Sequence, residues 1–349
     1  MNPAPMGRRL EKVMKAIVCE KPYELAVEER SAPVRQEGEV LIRIRRIGLC
    51  GTDYHIYAGN QPFLEYPRVM GHELAGEVAE VGPGSPLTVG QVVTVNPYLP
   101  CGKCVACRKG KPNCCMFVSV LGVHRDGGMC EALSVPERAV HPVGDLSVDQ
   151  AAMVEFLSVG AHAVRRGAVT AGDRVLVVGA GPIGVGVALF AQLAGGTVTL
   201  VDTSAQRLAY ARDHVGIADV AEAGEGLHAQ LSAKTDAEFF DVVFDATGAI
   251  KAMNGGLAFV AHGGRYVLVS VVKGELSFPD PEFHKRETTL LGSRNATDDD
   301  FRYVIESMQA GLIPTKALNT HSLALVDTPA MMPELIKIQG SVLKAIVAV

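Results

Sequence analysis

The stretch from Val175 to Gly196 contains no charged residue and is long enough to span a bilayer, so its reading decides between a membrane protein and a buried strand with its turn. It holds Gly179, Gly181, Pro182, Gly184, Gly186, Gly195 and Gly196. That punctuation divides it into a Val-rich strand, Arg174–Val178, then a glycine turn, then a helix. Further strand-like runs follow at Thr197–Val201, Asp241–Phe244, Arg265–Ser270 and Thr288–Leu291, with helical stretches between them. Strands alternating with helices specify an α/β domain with a doubly wound parallel sheet, placed here over residues 147–291.

The turn itself reads G-x-G-x-x-G over Gly179, Gly181 and Gly184, with Pro182 and Ile183 inside it. The first glycine permits the turn, the second lets backbone N–H groups approach a pyrophosphate, and the third lets the helix pack closely on the strand. Asp202 ends the next apolar strand at the offset expected of the acid that binds a ribose 2'-hydroxyl. An acid there repels a 2'-phosphate and favours NAD over NADP, whereas Arg207, five residues on, could neutralise it or meet the adenine. Asp245-Ala-Thr-Gly248 places Thr247 and Gly248 in a tight turn at the carboxyl edge of the same sheet, where open α/β sheets bind ligands.

With 349 residues the chain exceeds the usual size of one core, so two domains are expected. Residues 14–146 carry short strands between Gly and Pro turns, among them Lys15–Cys19, Val40–Ile44 and Gly76–Val81, and read as a β-rich domain. The tail from 292 to 349 has a helix near Asp298–Ala310 and a last strand, Leu343–Val349; too small to stand alone, it is expected to return to the first domain. Residues 1–13 read as a disordered leader. A net charge of −5 without a basic run excludes a nucleic-acid footprint, and no membrane partner is expected. Eight cysteines without a signal-like segment point to a reducing cytoplasm.

Cys101, Cys104, Cys107 and Cys115 form C-x2-C-x2-C-x7-C, a spacing that lets four thiolates converge on one zinc ion, although neighbouring Cys114 leaves the fourth ligand open by one residue. A closed all-thiolate site has no position for substrate, so it folds a loop and does no chemistry. Any catalytic zinc must therefore lie elsewhere. Cys50 and His72 offer a thiolate and an imidazole, and either Glu73 or Glu155 could add the carboxylate, leaving the open position of a catalytic zinc. One thiolate and one carboxylate neutralise Zn2+, so one glutamate is expected to bind at a time while the other acts through the zinc-bound water or exchanges with it. Asp53 is the expected acceptor for the other ring N–H of His72.

In this order, Cys50-Gly-Thr-Asp-Tyr-His55, Gly71-His72-Glu73, the four-cysteine lobe and Gly179-Ala-Gly-Pro-Ile-Gly184 resemble the zinc-dependent medium-chain alcohol dehydrogenases. That family pairs a GroES-like catalytic domain with a Rossmann domain, and its polyol branch has Glu at the position of Glu155. The resemblance implies a zinc- and NAD-dependent enzyme with a structural and a catalytic zinc. In it Thr52 would pass the proton of the reacting hydroxyl to His55, a residue type that changes charge near neutral pH. Gly59–Phe63, Gly122–Gly128, Ala161–Arg166, Asp280–Lys285 and Gly292–Thr297 further resemble sugar-acid dehydrogenases of that branch. The implied reaction is oxidation of L-galactonate to D-tagaturonate. Sorbitol-like polyols, L-gulonate, L-idonate and L-threonine are the alternative substrates, and a non-catalytic dinucleotide-binding protein is the reading from another class. Arg294 is the first candidate to grip a substrate carboxylate, ahead of Arg165, Arg166 and Lys285, with His124 and Asn295 beside it on resemblance. The family also implies a homodimer or homotetramer.

Overall fold

The computed structural model describes residues 12–61 and 64–349. Residues 1–11 of the expected leader, and Pro62 and Phe63 of the Gly59–Phe63 stretch, lie outside the described residues. The chain forms two compact units: one holds the chain up to Glu155 with Phe301–Thr315 and Asn319–Val349, the other Phe156–Asp300 with Lys316–Leu318. Both divisions fall later than the boundaries after residues 146 and 291 read from the sequence. The short helix Val148–Ala151 packs on the strands of the first unit, and residues 292–300 stay with the second.

In chain order the first unit supplies β1 (Val13–Lys21), β2 (Glu24–Ser31), β3 (Glu39–Leu49), β4 (Arg68–Val69), β5 (Glu73–Glu80), β6 (Val92–Val95), β7 (Tyr98–Leu99), β8 (Ser119–Val120), β9 (Ala132–Pro136) and β10 (Val140–Pro142). The second supplies β11 (Arg174–Val178), β12 (Thr197–Asp202), β13 (Val220–Glu222), β14 (Phe240–Asp245), β15 (Val260–Leu268) and β16 (Thr289–Gly292). The chain then adds β17 (Asn319–Ala324) and β18 (Lys344–Ala348) to the first unit.

The first unit is built on a seven-stranded sheet ordered β10-β6-β5-β3-β18-β17, with β9 also paired to β3. The C-terminal strand β18 runs antiparallel to β3, Ala345 opposite Leu49, which brings residues near the C-terminus beside the strand that leads to Cys50. A two-stranded ladder of β7 and β8 closes the neck of the cysteine lobe, with Tyr98 opposite Val120.

The second unit is a six-stranded sheet ordered β13-β12-β11-β14-β15-β16, parallel throughout. Chain order therefore reverses between β11 and β14, and the crevice at the carboxyl ends of those two strands is where such sheets bind ligands. Val175, Leu176 and Val177 are fully buried, as a strand covered on both faces requires. One face packs Leu176, Val201, Phe240, Val243 and Tyr266 into a single apolar cluster. Strand β13 has no counterpart among the runs read from the sequence, because three residues flanked by polar positions carry too short a pattern. The uncharged stretch resolves into β11, the turn and the helix Pro182–Leu193, and among the described residues no helix is long and apolar enough to cross a membrane.

Two helices of this unit meet backbone to backbone at Gly160 and Gly186. A Cβ on Gly160 would lie 2.6 Å from the carbonyl carbon of Gly186 and 2.8 Å from Val187 N. Backbone cannot yield as a side-chain tip does, so Gly160→Ala is expected to cost about 1–3 kcal/mol through overpacking. A urea titration followed by circular dichroism measures this as a lowered midpoint.

Candidate active site

Cys50 stands at the N-cap of the helix Gly51–Tyr57, directly after β3. Asp53 in the first turn of that helix is fully buried; its Oδ2 accepts from Cys50 N–H at 2.9 Å and its Oδ1 from Gly71 N–H at 3.3 Å. Asp53 thus links the segment bearing Cys50 to the one bearing His72 and Glu73. Its Oδ1 lies 4.0 Å from His72 Nδ1, longer than a hydrogen bond, so the expected Asp53–His72 bond is not formed. The carboxylate is committed to two backbone donors instead.

Donor atoms of Cys50, His72 and Glu73 lie within 4.8 Å of one another. Thiolate, imidazole and carboxylate all bind zinc at about 2.0–2.3 Å, so three donors this close can hold one ion and leave a fourth position open. The charge balance fits as well. Burial disfavours a protonated His72, yet the Cys50 and Asp53 charges outweigh it and hold its pKa well above the ordinary histidine value. A pocket that draws a proton onto a buried imidazole is one that a dication can occupy in the proton's place.

Lys344 is 1 % exposed and its Nζ lies 2.7 Å from each carboxylate oxygen of Glu73 and 3.1 Å from Leu49 O. Burial works against its charge, but Glu73 and Cys50 more than compensate and raise its pKa. Sequence reasoning missed this residue. The only signal was a lysine opening the apolar run that ends the chain, and a lysine at a strand end ordinarily reads as a solvated charge.

Glu155 is 2 % exposed, and the Tyr98 hydroxyl, carried on β7, donates to its Oε1. Burial pushes its carboxyl up to about 7, with Glu73 adding to the rise and His72, Tyr98 and Lys344 opposing it. Of the two glutamates left open by the sequence, Glu73 is gathered with Cys50 and His72, while Glu155 lies outside that group. Tyr98 is a second residue the sequence did not flag. Thr52 sits half-buried in the first turn of its helix and His55 is exposed in the last turn.

In the lobe closed by β7 and β8, the sulfurs of Cys101, Cys104, Cys107 and Cys115 come together, with Cys104 Sγ 3.5 Å from Cys107 Sγ and 3.8 Å from Cys115 Sγ. Four sulfurs at about 2.3 Å from one tetrahedral ion sit about 3.8 Å apart. No pair is bonded as a disulfide, and Cys114 is exposed and outside the group. Backbone N–H groups of Cys101 and Phe117 both reach Cys115 Sγ at 3.3 Å, the donors a thiolate needs. Backbone donors near Cys107 and Met116 likewise lower the Cys104 thiol to about 6.

In the second unit, Gly179 has φ +106, and a Cβ on Gly184 would lie 1.7 Å from Gly179 O, so turn and helix close only with glycine at both places. Gly181 caps the helix Pro182–Leu193, Pro182 and Ile183 form its first turn, and a Cβ on Gly181 would meet nothing within 4 Å. That open face is where a pyrophosphate can approach the helix N-terminus. Asp202 uses Oδ2 to accept from Ala180 N–H at 2.6 Å and Oδ1 from Ser204 N–H at 2.8 Å, binding the glycine turn to the end of β12. Each oxygen keeps a lone pair for a ribose hydroxyl. Arg207 is half-buried on the next helix, its N–H held by the Ser204 hydroxyl at 3.3 Å. Thr247 folds back on Asp245 through its N–H and hydroxyl at 2.9 and 2.7 Å, and Gly248 follows with φ +64.

The substrate candidates divide between the units. His124, exposed in the first, accepts Val120 N–H on its Nδ1 at 3.1 Å. Arg294 is exposed and Asn295 half-buried in the second. Among the weaker cations, Arg165 binds Asp300 and Lys285 pairs with Glu282 at 3.2 Å.

Comparison with known proteins adds the family. Residues 36–145 match the model described as alcohol dehydrogenase GroES-like domain, and residues 182–310 the one described as zinc-binding dehydrogenase. The chain is 44% identical over 309 residues to L-galactonate-5-dehydrogenase of Escherichia coli (strain K12), covering 88% of this chain and 91% of that protein. It is 33% identical over 305 residues to 2-dehydro-3-deoxy-L-galactonate 5-dehydrogenase of Pseudoalteromonas atlantica (strain T6c / ATCC BAA-1087), covering 86% and 89%. Among solved structures, an alcohol dehydrogenase from E. coli CFT073 complexed with cofactor NADH matches with a TM-score of 0.91 at 29% identity, covering 97% of this chain and all of the other.

Two outcomes follow from the buried charges. Lys344→Met leaves the Glu73 carboxylate buried without its counter-charge and is expected to cost about 3–5 kcal/mol in metal-free protein. Urea unfolding with and without zinc checks this, since a bound dication recovers part of the loss. Glu155 has a folded pKa of about 7 against an ordinary 4.5, so its contribution to the stability of the metal-free protein is complete below about pH 4.5 and is lost as the pH rises through 7. Glu155→Gln is expected to flatten that slope when unfolding free energies are compared between acidic and mildly alkaline buffer.

Proposed function

We propose that this chain, which belongs to the zinc-binding dehydrogenase family, oxidises a secondary hydroxyl of a sugar acid, L-galactonate to D-tagaturonate, with NAD taking the hydride. The observation that carries the reading is the convergence of Cys50, His72 and Glu73 within 4.8 Å beside the buried Glu155. A zinc ion held there would supply a Lewis acid, which lowers the pKa of a bound water to about 7 and would acidify a bound alcohol by the same charge. Lys344 holds Glu73 in place and the Tyr98 hydroxyl holds Glu155. Thr52 would relay the hydroxyl proton, accepting it as it gives up its own, through the ribose of bound NAD to His55, which is exposed at the end of the same helix and can release it to solvent.

The cofactor reading rests on Gly179, Gly181 and Gly184 at the turn and on Asp202 at the end of β12, whose negative charge suits a free ribose hydroxyl better than a phosphate. The NADH held by the structurally similar E. coli alcohol dehydrogenase supports it. The substrate reading rests on the similarity to the L-galactonate enzyme and on Arg294, whose guanidinium can grip a carboxylate through two hydrogen bonds. Assembly as a homodimer or homotetramer belongs to the same reading.

NADH formation by zinc-loaded protein, compared across L-galactonate, L-gulonate, L-idonate, sorbitol and L-threonine, tests the proposal. L-Galactonate with NAD is expected to lead the others, and NADP, in kcat/KM by about tenfold or more, equivalent to about 1.4 kcal/mol in transition-state binding. A lead for sorbitol or L-threonine overturns the sugar-acid reading.

A further inference from the structure

Asp300 draws together two segments that the sequence presents as unrelated. It is 3 % exposed and lies in the first turn of the helix Asp298–Gln309. Its Oδ1 accepts from Arg165 Nε at 2.9 Å; its Oδ2 accepts from Arg165 Nη2 at 2.9 Å and from the Thr297 N–H and hydroxyl, each at 2.8 Å. Nδ1 of buried His162 lies 2.8 Å from the same Oδ2, and Arg165 Nη2 also donates to Thr297 Oγ1 at 2.9 Å. Burial would raise the Asp300 carboxyl, but the bonds from His162 and Thr297 outweigh it and hold it below the usual range. An acid reaching back to the N–H that precedes its helix is an ordinary cap. Such a cap needs neither the guanidinium nor the imidazole.

The segment just before the cap gives those two side chains a use. Ser293 N–H is held by Leu268 O at 2.9 Å, Ala296 is buried, and Asn295 has φ +55, a left-handed conformation uncommon away from glycine. The bend Ser293–Thr297 is therefore fixed at one end by β15 and at the other by Asp300, with exposed Arg294 between. A loop already ordered loses less conformational entropy when its side chain grips a ligand.

We propose that Arg165 is a positioning residue for substrate recognition: acting through Asp300, it fixes the Ser293–Thr297 bend so that Arg294 meets the carboxylate of the sugar acid. The inference rests on Arg294 being the carboxylate grip, and its test separates the two. In this role Arg165 acts through the bend, its guanidinium bonded to Asp300 and to the Thr297 hydroxyl.

Steady-state kinetics with L-galactonate would compare Arg165→Leu, Arg165→Lys, Arg294→Ala and the double variant Arg165→Leu/Arg294→Ala, with thermal midpoints alongside. Arg165→Leu is expected to raise KM by about tenfold with kcat within about threefold, a loss of binding shared by ground and transition states. Arg165→Lys should recover part of it, and Arg165→Leu should add nothing once Arg294 is gone. If Arg294→Ala raises KM while Arg165→Leu leaves it unchanged, or lowers only kcat and the thermal midpoint, the positioning role is overturned and the grip stands. An unchanged KM in Arg294→Ala overturns both. Should Arg165→Leu fail to fold, Thr297→Val, which removes one hydroxyl, is read by the same criteria.

Discussion

The buried charge balance around Glu73 is the constraint on which the first unit turns. Four acidic groups, Cys50, Asp53, Glu73 and Glu155, occupy one neighbourhood, and three of them are almost wholly removed from water. Isolated buried anions are costly enough to be protonated or paired. Each of the three buried carboxyls is answered by a different donor: Lys344 for Glu73, the Tyr98 hydroxyl for Glu155, and backbone N–H groups for Asp53. Sheet order follows from the same requirement, because Lys344 reaches Glu73 only with β18 laid beside β3. A dication would complete this arrangement electrostatically, and the donor set of Cys50, His72 and Glu73 is of the kind that holds zinc.

The second unit solves a different problem with mostly backbone. Two glycines at the end of β11 let a strand, a turn and a helix close at van der Waals distance, and Asp202 locks the turn with one oxygen. Recognition of a dinucleotide here would rely on N–H groups and a helix end, with side chains serving chiefly to keep them in place. The Asp300 cluster follows the same pattern: charged groups hold the bend that carries Arg294.

Much of this was legible in the sequence. The glycine turn, its acid and the four-cysteine lobe are local patterns in which the chemistry dictates the spacing, so the residue types alone point to them. The alternation of strands and helices was likewise sufficient for the parallel sheet, apart from the three-residue β13. Asp53 shows the limit: the sequence places it near His72, but not that two backbone donors claim its oxygens first. Arg165 shows it again, since a cation near other candidate residues looks available until Asp300 is found against it.

The sequence by itself determined the motifs and the two classes of domain, because each depends on contacts between residues close along the chain or on apolar periodicity. Tertiary structure alone decided which residue balances the buried Glu73 and which arginine is committed to a carboxylate. Those outcomes hinge on partners such as Lys344 and Glu73, 271 positions apart, or Arg165 and Asp300, 135 apart. No local pattern encodes such pairs; folding selects them, through the cost of leaving a buried charge unanswered.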